Sequence, residues 1–360
     1  MERFLCKTQI ISGPGSLNSL AQLHIKRLLI VTDPFFSNNG TANHIAHISG
    51  AEHTEVFSKV APDPSVSLAA EGTKMVQSFQ PDTILALGGG SAMDCAKAMA
   101  YFSGLKLRFI AVPTTSGSGS EVTDFAILTH EGVKHPLVDE KLRPDIAILD
   151  SDLLTSLPPK LIADTGFDLI SHALEAWAAT GSGMLSDAMA FEALKTTFSL
   201  LPKSFGGDTA ARMPLHTAAT MAGLAFSAAG LGISHAMAHA LGGEFHIPHG
   251  RLNAILLPAV MDCNAAKASH RYADLSRRLG FSTGTDPIAL RALKNALIRL
   301  RSQLQLPDTL ATAGVEPAQV RGKMDALVEA ALADPCCATN PVKPESWHIR
   351  QILGEVMGRG

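Results

Sequence analysis

The sequence carries no surplus of charge of either sign. Its 30 Lys and Arg against 33 Asp and Glu leave a formal net charge of -3 with 14 His neutral. That is too little to attract a polyanion or an acidic partner, so nucleic-acid binding receives no electrostatic support. Charged residues make up only 18% of the 360 residues against 46% hydrophobic, below the ~25% usual for globular domains, and a large core can be buried. Cysteine is scarce: Cys6, Cys95, Cys263, Cys336 and Cys337 are odd in number, scattered, and form no CxxC. This argues against a disulfide framework and against a thiolate metal site, and fits a reducing compartment. Met1 to Gly15 has no apolar run behind a basic segment, which argues against secretion and for a cytoplasmic location. No internal repeat or low-complexity segment interrupts the chain.

One stretch, Met213 to Gly243, lacks any charged residue and is long enough to span a bilayer. It also contains His216, His235 and His239 with several Gly and Ser, which a lipid-facing helix would bury unfavourably. A pair of core helices is the expected structure, and no membrane partner is expected.

At roughly 150 residues per domain the length suggests two domains. In the first part, Leu28 to Thr32, Thr83 to Leu87, Phe109 to Pro113 and Ile146 to Leu149 read as buried strands. Val66 to Phe79 and Ala92 to Phe102 between them read as helices, which predicts a parallel sheet covered on both faces. After Asp150 strand-like runs nearly vanish. Pro158-Pro159 opens a series of amphipathic segments, Ile162 to Trp177, Asp187 to Leu200, Pro287 to Leu304 and Pro317 to Ala333. The expected division is 1–157, a dinucleotide-binding α/β domain, and 158–360, an all-helical metal and substrate domain, with the cleft between them as the default ligand site.

Directly after the strand Thr83 to Leu87 comes Gly88-Gly89-Gly90-Ser91, and then a helix carrying Asp94. Backbone NH groups at a positive helix N-terminus, with no Cβ atoms in the way, suit a phosphate. The loop matches neither GxGxxG nor GxxxxGK[ST], and a tight strand-to-helix turn is the plain alternative. A second hydroxyl-rich loop, Pro113-Thr114-Thr115-Ser116-Gly117-Ser118-Gly119-Ser120-Glu121, follows the next strand. Two such loops at neighbouring strand ends are what a dinucleotide requires. Asp33, just past the strand Leu28 to Thr32, can accept from an adenosine ribose and would repel a 2'-phosphate, so NAD(H) is preferred to NADP(H). An ordinary turn Asp before Pro34 competes with that reading.

Asp168 and His172 are four residues apart in a helical segment and share a face. His235 and His239 repeat the spacing, and His249 follows. Three imidazoles and one carboxylate drawn from these would suit Fe(II) or Zn and leave room for a substrate oxygen. Any one of these His alone would more often be a satisfied core residue, but together, in a region almost free of other polar groups, they need partners. A cation beside a nicotinamide would polarise an alcohol or carbonyl oxygen while hydride passes to or from the ring.

Through GGGSAMDCAKA, PTTSGSGSEVTDF, DTGFDLISHALEAW and AFSAAGLGISHAMAHALGGEFHIPHGRLNAILLP, in that order, the chain resembles the iron-containing (group III) alcohol dehydrogenases over essentially its full length. The phrases KHPLVDEKLRPDIAILD and ALADPCCATNP are most similar to the branch of 1-propanol dehydrogenases of propanediol-utilising bacterial microcompartments, with the ethanolamine-associated branch next. The resemblance implies a Rossmann-like parallel α/β domain followed by an all-α domain, the fold shared with dehydroquinate synthase. It implies Asp168, His172, His235 and His249 as metal ligands and His239 as a proton relay. For NAD(H) it implies Asp33 at the ribose, Gly89, Gly90 and Ser91 with Asp94 around the pyrophosphate, and Thr114, Thr115, Ser118 and Lys134 along the ribose and nicotinamide side. Phe125 and Phe245 would line an apolar substrate cleft. Two positions depart from the family: Asp63 stands where many relatives have Asn, adding negative charge near the phosphates, and Phe167 replaces a smaller residue before the ligand Asp.

The expected activity is reversible, NAD(H)-linked interconversion of a short aliphatic aldehyde such as propionaldehyde and its primary alcohol, in a homo-oligomer. An aldehyde dehydrogenase or shell protein of a microcompartment is the expected partner. A glycerol or 1,3-propanediol type dehydrogenase is the near alternative. A dehydroquinate synthase-like lyase would need basic groups for phosphate and carboxylate, and Arg251 is the nearest to the histidine-rich motif. A non-catalytic assembly component is disfavoured by the intact ligand set.

Overall fold

The computed structural model describes residues 4–358; residues 1–3 of the expected amino-terminal start Met1 to Ile11 lie outside them. The strands are β1 (Gln9–Ser12), β2 (Arg27–Thr32), β3 (His53–Phe57), β4 (Thr83–Gly88), β5 (Arg108–Pro113), β6 (Phe125–His130), β7 (Val133–Val138) and β8 (Ile146–Leu149). Helices α1 (Pro34–Asn38), α2 (Thr41–Ser49), α3 (Val66–Phe79) and α4 (Gly90–Ser103) alternate with them. The remainder is helical: α5 (Pro159–Ala178), α6 (Met184–Phe205), α7 (Arg212–Ala229), α8 (Ile233–Phe245), α9 (His249–Arg278), α10 (Asp286–Gln303), α11 (Pro317–Gly322), α12 (Met324–Ala333) and α13 (Ser346–Val356).

Six strands form one parallel sheet in the order β1-β8-β5-β4-β2-β3. The apolar runs of β2 and β4 are buried on both sides because their alternate residues serve opposite faces. Leu29, Val31, Ile84 and Ala86 meet Val76 of α3 and Met93, Ala96 and Met99 of α4. Leu28, Ile30, Leu85 and Leu87 meet Ala42 and Ile45 of α2 and Leu17 and Leu20 of a short 3-10 turn. α3 spans the expected residues because Ser65 caps it, its Oγ accepting from Leu68 N at 3.1 Å. β1, β3, α1, α2 and α13 add to the sequence reading, and two further features depart from it. β6 and β7 pair as an antiparallel hairpin whose tip, Glu131 and Gly132, has φ of 49° and 77°, the left-handed pair that a two-residue hairpin favours. The single helix expected over Pro317 to Ala333 is broken at Lys323, directly after Gly322, a residue that weakens helix continuation.

The chain packs as two compact units. One holds Leu5–Leu157 with Arg212–Gly223; the other holds Pro158–Ala211 and the chain from Leu224 onward. Relative to the expected 1–157 and 158–360, the segment 212–223 changes sides, and side-chain packing explains why. A Cβ on Gly119 would lie 2.6 Å from Gly223 Cα, so the second hydroxyl-rich loop presses directly on the α7 backbone. Thr220 Oγ1 donates to Glu121 Oε1 at 2.6 Å, and Ser116 Oγ lies 3.0 Å from His216 Nδ1.

The helical unit has its own core, in which Ile233, Met237 and Leu241 of α8 and Leu252, Ile255 and Leu256 of α9 pack with Leu327, Val328, Ile349 and Leu353. No single helix among the described residues is long and apolar enough to cross a membrane; the uncharged stretch forms α7 and α8, bent by 107° at their junction. α9 runs through Pro258, whose missing NH leaves the Ala254 carbonyl without its helical donor. Arg301 fills that gap, Nη1 donating to Ala254 O at 3.2 Å.

Candidate active site

In the helical unit, α5 supplies Asp168 and His172, α8 supplies His235 and His239, and His249 is the first residue of α9. Asp168 is the hub. Its Oδ1 lies 4.0 Å from His235 Nε2 and 3.6 Å from His249 Nε2, and its Oδ2 lies 4.0 Å from His172 Nδ1. The ring of His172 stacks between those of Phe226 and His235, each at 4.5 Å, and His235 and His249 are 5.2 Å apart. The close approach of α9 to α5 depends on Gly250, where a Cβ would fall 1.8 Å from Asp164 O and 3.1 Å from Asp168 Cβ. Arg251 next to it grips Asp164 through two hydrogen bonds, of 3.0 and 2.7 Å. The one arginine near the motif is thus engaged, which removes the basic group a lyase reading needs.

The donor set fits a divalent cation. Donors 3.6 to 4.0 Å apart are too far to hydrogen-bond, yet within the span of two ligands each about 2.1 Å from one ion. His235 gives the sharpest sign. Its Nδ1 lies 2.5 Å from Glu175 Oε2, while its Nε2 is buried with no hydrogen-bond partner. Burial pushes its imidazole down to about 4, so the ring is neutral. Burial raises the Glu175 carboxyl to about 7, but both its oxygens already accept from main-chain NH groups, an acceptor role that sets the shared proton on Nδ1 of His235 and the lone pair on Nε2, towards Asp168. Those NH groups belong to Gly232, at 3.1 Å, and Ser234, at 2.8 Å. Asn253 completes the support, with Nδ2 donating to Asp168 Oδ1 at 3.2 Å and Oδ1 accepting from Ser234 Oγ at 2.9 Å.

His239 takes a different partner. Its Nδ1 lies 2.8 Å from Asp334 Oδ2, and its ring stacks on His249 at 5.1 Å. Burial alone would raise the Asp334 carboxyl, but the bond and charge of His239 together with contacts from Cys336 outweigh it and hold the group below its ordinary range. The Nδ1 proton is therefore committed to Asp334, and Nε2 is the atom free to exchange a proton.

Glu175 and Asp334 were not singled out from the sequence. Glu175 had a usable signal, since it follows Asp168 by seven residues and His172 by three, on the same helical face. Asp334 had none, for it lies 95 residues from its partner.

In the sheet unit Asp33, Gly89, Gly90, Ser91, Thr114, Thr115 and Ser118 follow the carboxyl ends of β2, β4 and β5, whereas Lys134 lies on β7 and Asp94 within α4. Gly88 has φ of 149°, and Gly89 caps α4, which begins at Gly90. A Cβ on Gly89 would lie 3.1 Å from Thr115 Oγ1, and one on Gly90 would lie 3.3 Å from Ser118 Cβ, so the two loops abut. Thr114 N donates to Gly88 O at 3.0 Å. Asp33 caps α1, Oδ1 accepting from Phe35 N and Phe36 N at 2.9 and 3.2 Å. Its other oxygen, Oδ2, would face a Cβ on Gly88 at 3.9 Å.

The remaining positions have specific surroundings. Asp94 faces a polar network rather than the loop alone: Ser120 Oγ donates to its Oδ1 at 3.2 Å, and burial raises its carboxyl to about 6. Beside it Lys97 is fully buried, its Nζ donating to Ser120 Oγ, Thr123 O, Thr123 Oγ1 and Phe125 O at 2.7 to 3.2 Å. Asp63 does not stand as an uncompensated charge, because its Oδ1 is 2.7 Å from Lys134 Nζ. Its φ of 54° is a left-handed conformation that Asp and Asn tolerate best. Phe125 and Phe245 fall in different units; Phe125 opens β6, and Phe245 ends α8 against the helical core.

Comparison with known proteins bears on this arrangement. The family model described as iron-containing alcohol dehydrogenase matches residues 7–151, and the C-terminal model of the Fe-containing alcohol dehydrogenase family matches 162–357. The 1-propanol dehydrogenase PduQ of Salmonella typhimurium is 39% identical over 370 residues, covering 99% of this chain and 100% of that protein. The bifunctional aldehyde-alcohol dehydrogenase AdhE of Escherichia coli is 40% identical over 95% of this chain, which matches 44% of that protein. Among solved structures, an iron-containing alcohol dehydrogenase of Thermococcus thioreducens superposes with a TM-score of 0.92 at 34% identity, covering 98% of this chain and 99% of the other. A 1,3-propanediol oxidoreductase superposes with a TM-score of 0.93 at 29% identity, over 99% and 100% of the two chains. The chain belongs to the iron-containing alcohol dehydrogenase family.

Proposed function

We propose that the protein is an NAD(H)-linked, metal-dependent reductase of short aliphatic aldehydes, propionaldehyde first, which runs in reverse as a primary alcohol dehydrogenase. The reading rests above all on the buried, partnerless Nε2 of His235, turned towards Asp168 beside His172 and His249. Those four side chains would hold Fe(II), with Zn the alternative, and the glycine and hydroxyl loops of the sheet unit would hold NAD(H). When bound, the cation supplies Lewis-acid polarisation of the substrate oxygen and the nicotinamide carries the hydride.

The chain's own residues do the rest. Glu175 holds the Nδ1 proton of His235 and so keeps its Nε2 available as a donor atom. His239, oriented by Asp334, accepts or delivers the substrate's proton at Nε2. Asp33, Gly89, Gly90, Ser91, Thr114, Thr115 and Ser118 seat the cofactor, with Lys134 held by Asp63 and Asp94 by the Ser120 network. An apolar ring beside the substrate, as Phe125 or Phe245 would offer, would favour an apolar chain over a polyol, whose hydroxyls it would leave unpaired. The similarity to PduQ supports a setting in a propanediol-utilising microcompartment; an aldehyde dehydrogenase as working partner and a homo-oligomeric form belong to the proposal.

Elemental analysis of anaerobically purified protein, paired with an aldehyde panel followed through NADH consumption, tests the reading. One Fe or Zn per chain and faster turnover of propionaldehyde and 1-propanol than of glycerol are expected. Full activity after the cation is stripped, or NADH that is returned rather than consumed, would refute it.

A further inference from the structure

The turn that follows α12 brings a second set of donor atoms to His239. Asp334 and Cys336 both lie in it, and one donor atom each of His239, Asp334 and Cys336 falls within 4.8 Å of the others. Asp334 ties the three together: its Oδ2 faces His239 Nδ1 at 2.8 Å and its Oδ1 accepts from Cys336 N at 2.8 Å; burial holds the unmetallated Cys336 thiol well above its ordinary range. The side chains of His239 and Asp334 are each 9% exposed, and Cys336 is buried. None of the three belongs to the set around Asp168. Nitrogen, oxygen and sulfur donors together select borderline to soft divalent ions such as Zn(II), Co(II) or Cd(II), whereas Mg(II) and Ca(II) prefer oxygen alone.

We propose that His239, Asp334 and Cys336 form a second cation site, specific for a thiophilic divalent ion. A thiolate and a carboxylate balance its two positive charges. On binding, Cys336 Sγ releases its proton to solvent. The ion then takes the lone pair of His239 Nδ1, whose proton moves to Nε2 as the ring changes tautomer, so one proton leaves for each ion bound. The sequence alone argues against a thiolate site because no CxxC exists; the structure assembles one by bringing Asp334 and Cys336 to a histidine 95 or more positions away. Occupation would leave His239 unable to accept a proton at Nε2, so it would inhibit turnover. That consequence rests on the proposed relay, whereas the binding itself does not.

Cd(II) added to the metal-loaded enzyme provides the test, read as thiolate-to-cadmium charge-transfer absorption together with proton release. The expected result is one further equivalent bound with the band and one proton released. The band should disappear in Cys336→Ser, persist in Cys337→Ser, and require at least about tenfold more Cd(II) in Asp334→Asn. The first centre has no sulfur donor, so the band reports this site whether or not the dehydrogenase reading stands. Absence of the band in the wild-type protein, or a band that survives Cys336→Ser at unchanged affinity, overturns the proposal.

Discussion

The glycine loops of the sheet unit and the histidine cluster of the helical unit differ in which part of the chain does the work. At the carboxyl end of β4, Gly88, Gly89 and Gly90 keep Cβ atoms out of the space beside Ala92, Thr115 and Ser118 at the start of α4, and the side chains beside them mostly support loops. In the helical unit the backbone is ordinary helix, and function sits in buried side chains whose second atoms are held by Glu175, Asn253 and Asp334. A backbone site is damaged by adding atoms; a side-chain site is damaged by removing them.

Substitutions should therefore separate the two. His172→Ala, or Asp168→Ala, is expected to abolish cation retention and turnover while NADH still binds, measured by metal content and by fluorescence titration of the cofactor. The mirror experiment is Gly88→Val: the position has φ of 149° and only 2.6 Å to Ala92 Cβ. It should weaken NADH binding by roughly tenfold or more while cation content stays at the wild-type level. Loss of both properties in either variant would break the comparison.

Smaller effects sharpen it. Glu175→Gln keeps the volume but lets Nδ1 of His235 take either role, and a cation-affinity loss of roughly 10- to 100-fold is expected by competition with a chelator. Asp334→Asn should lower kcat by about tenfold or more with the KM for NADH unchanged, since it frees the orientation of His239 without touching the loops. The smallest effect concerns acid stability. Burial holds His216 down at about 4 against an ordinary 6.5. The unfolded chain therefore takes up the proton first, and stability present above pH 6.5 is lost as pH falls towards 4, by on the order of 1 kcal/mol per pH unit. Thermal midpoints measured across that window should fall less steeply in His216→Asn.

What was legible in the sequence follows the same division. α3 and the buried strands of the sheet were readable from periodicity, because burial on two faces leaves near-continuous apolar runs. The Asp168, His172, His235 and His249 set stood out as polar residues in an apolar region, and their convergence followed from spacing together with family resemblance. The β6–β7 hairpin was missed because its strands are partly exposed and its tip pair, Glu131 and Gly132, is a weak turn signal. Glu175 was overlooked although it shares the α5 face, and Asp334 could not be found, because only the tertiary fold carries the turn after α12 to α8. The role of 212–223 likewise depends on Gly119 meeting Gly223, a meeting of backbones that no side-chain pattern announces.

The contact of Gly250 with the Asp164 carbonyl has a consequence for how the protein acquires its metal. The spacing of α5 and α9 is set by main chain pressed against main chain and by the Arg251 clamp, so the proposed ligand set is preassembled by packing and would not need an ion to draw it together. The folded polypeptide should accordingly survive demetallation and accept replacement ions from solution, which makes metal identity a property of supply and oxidation state in the cell rather than of the folding pathway.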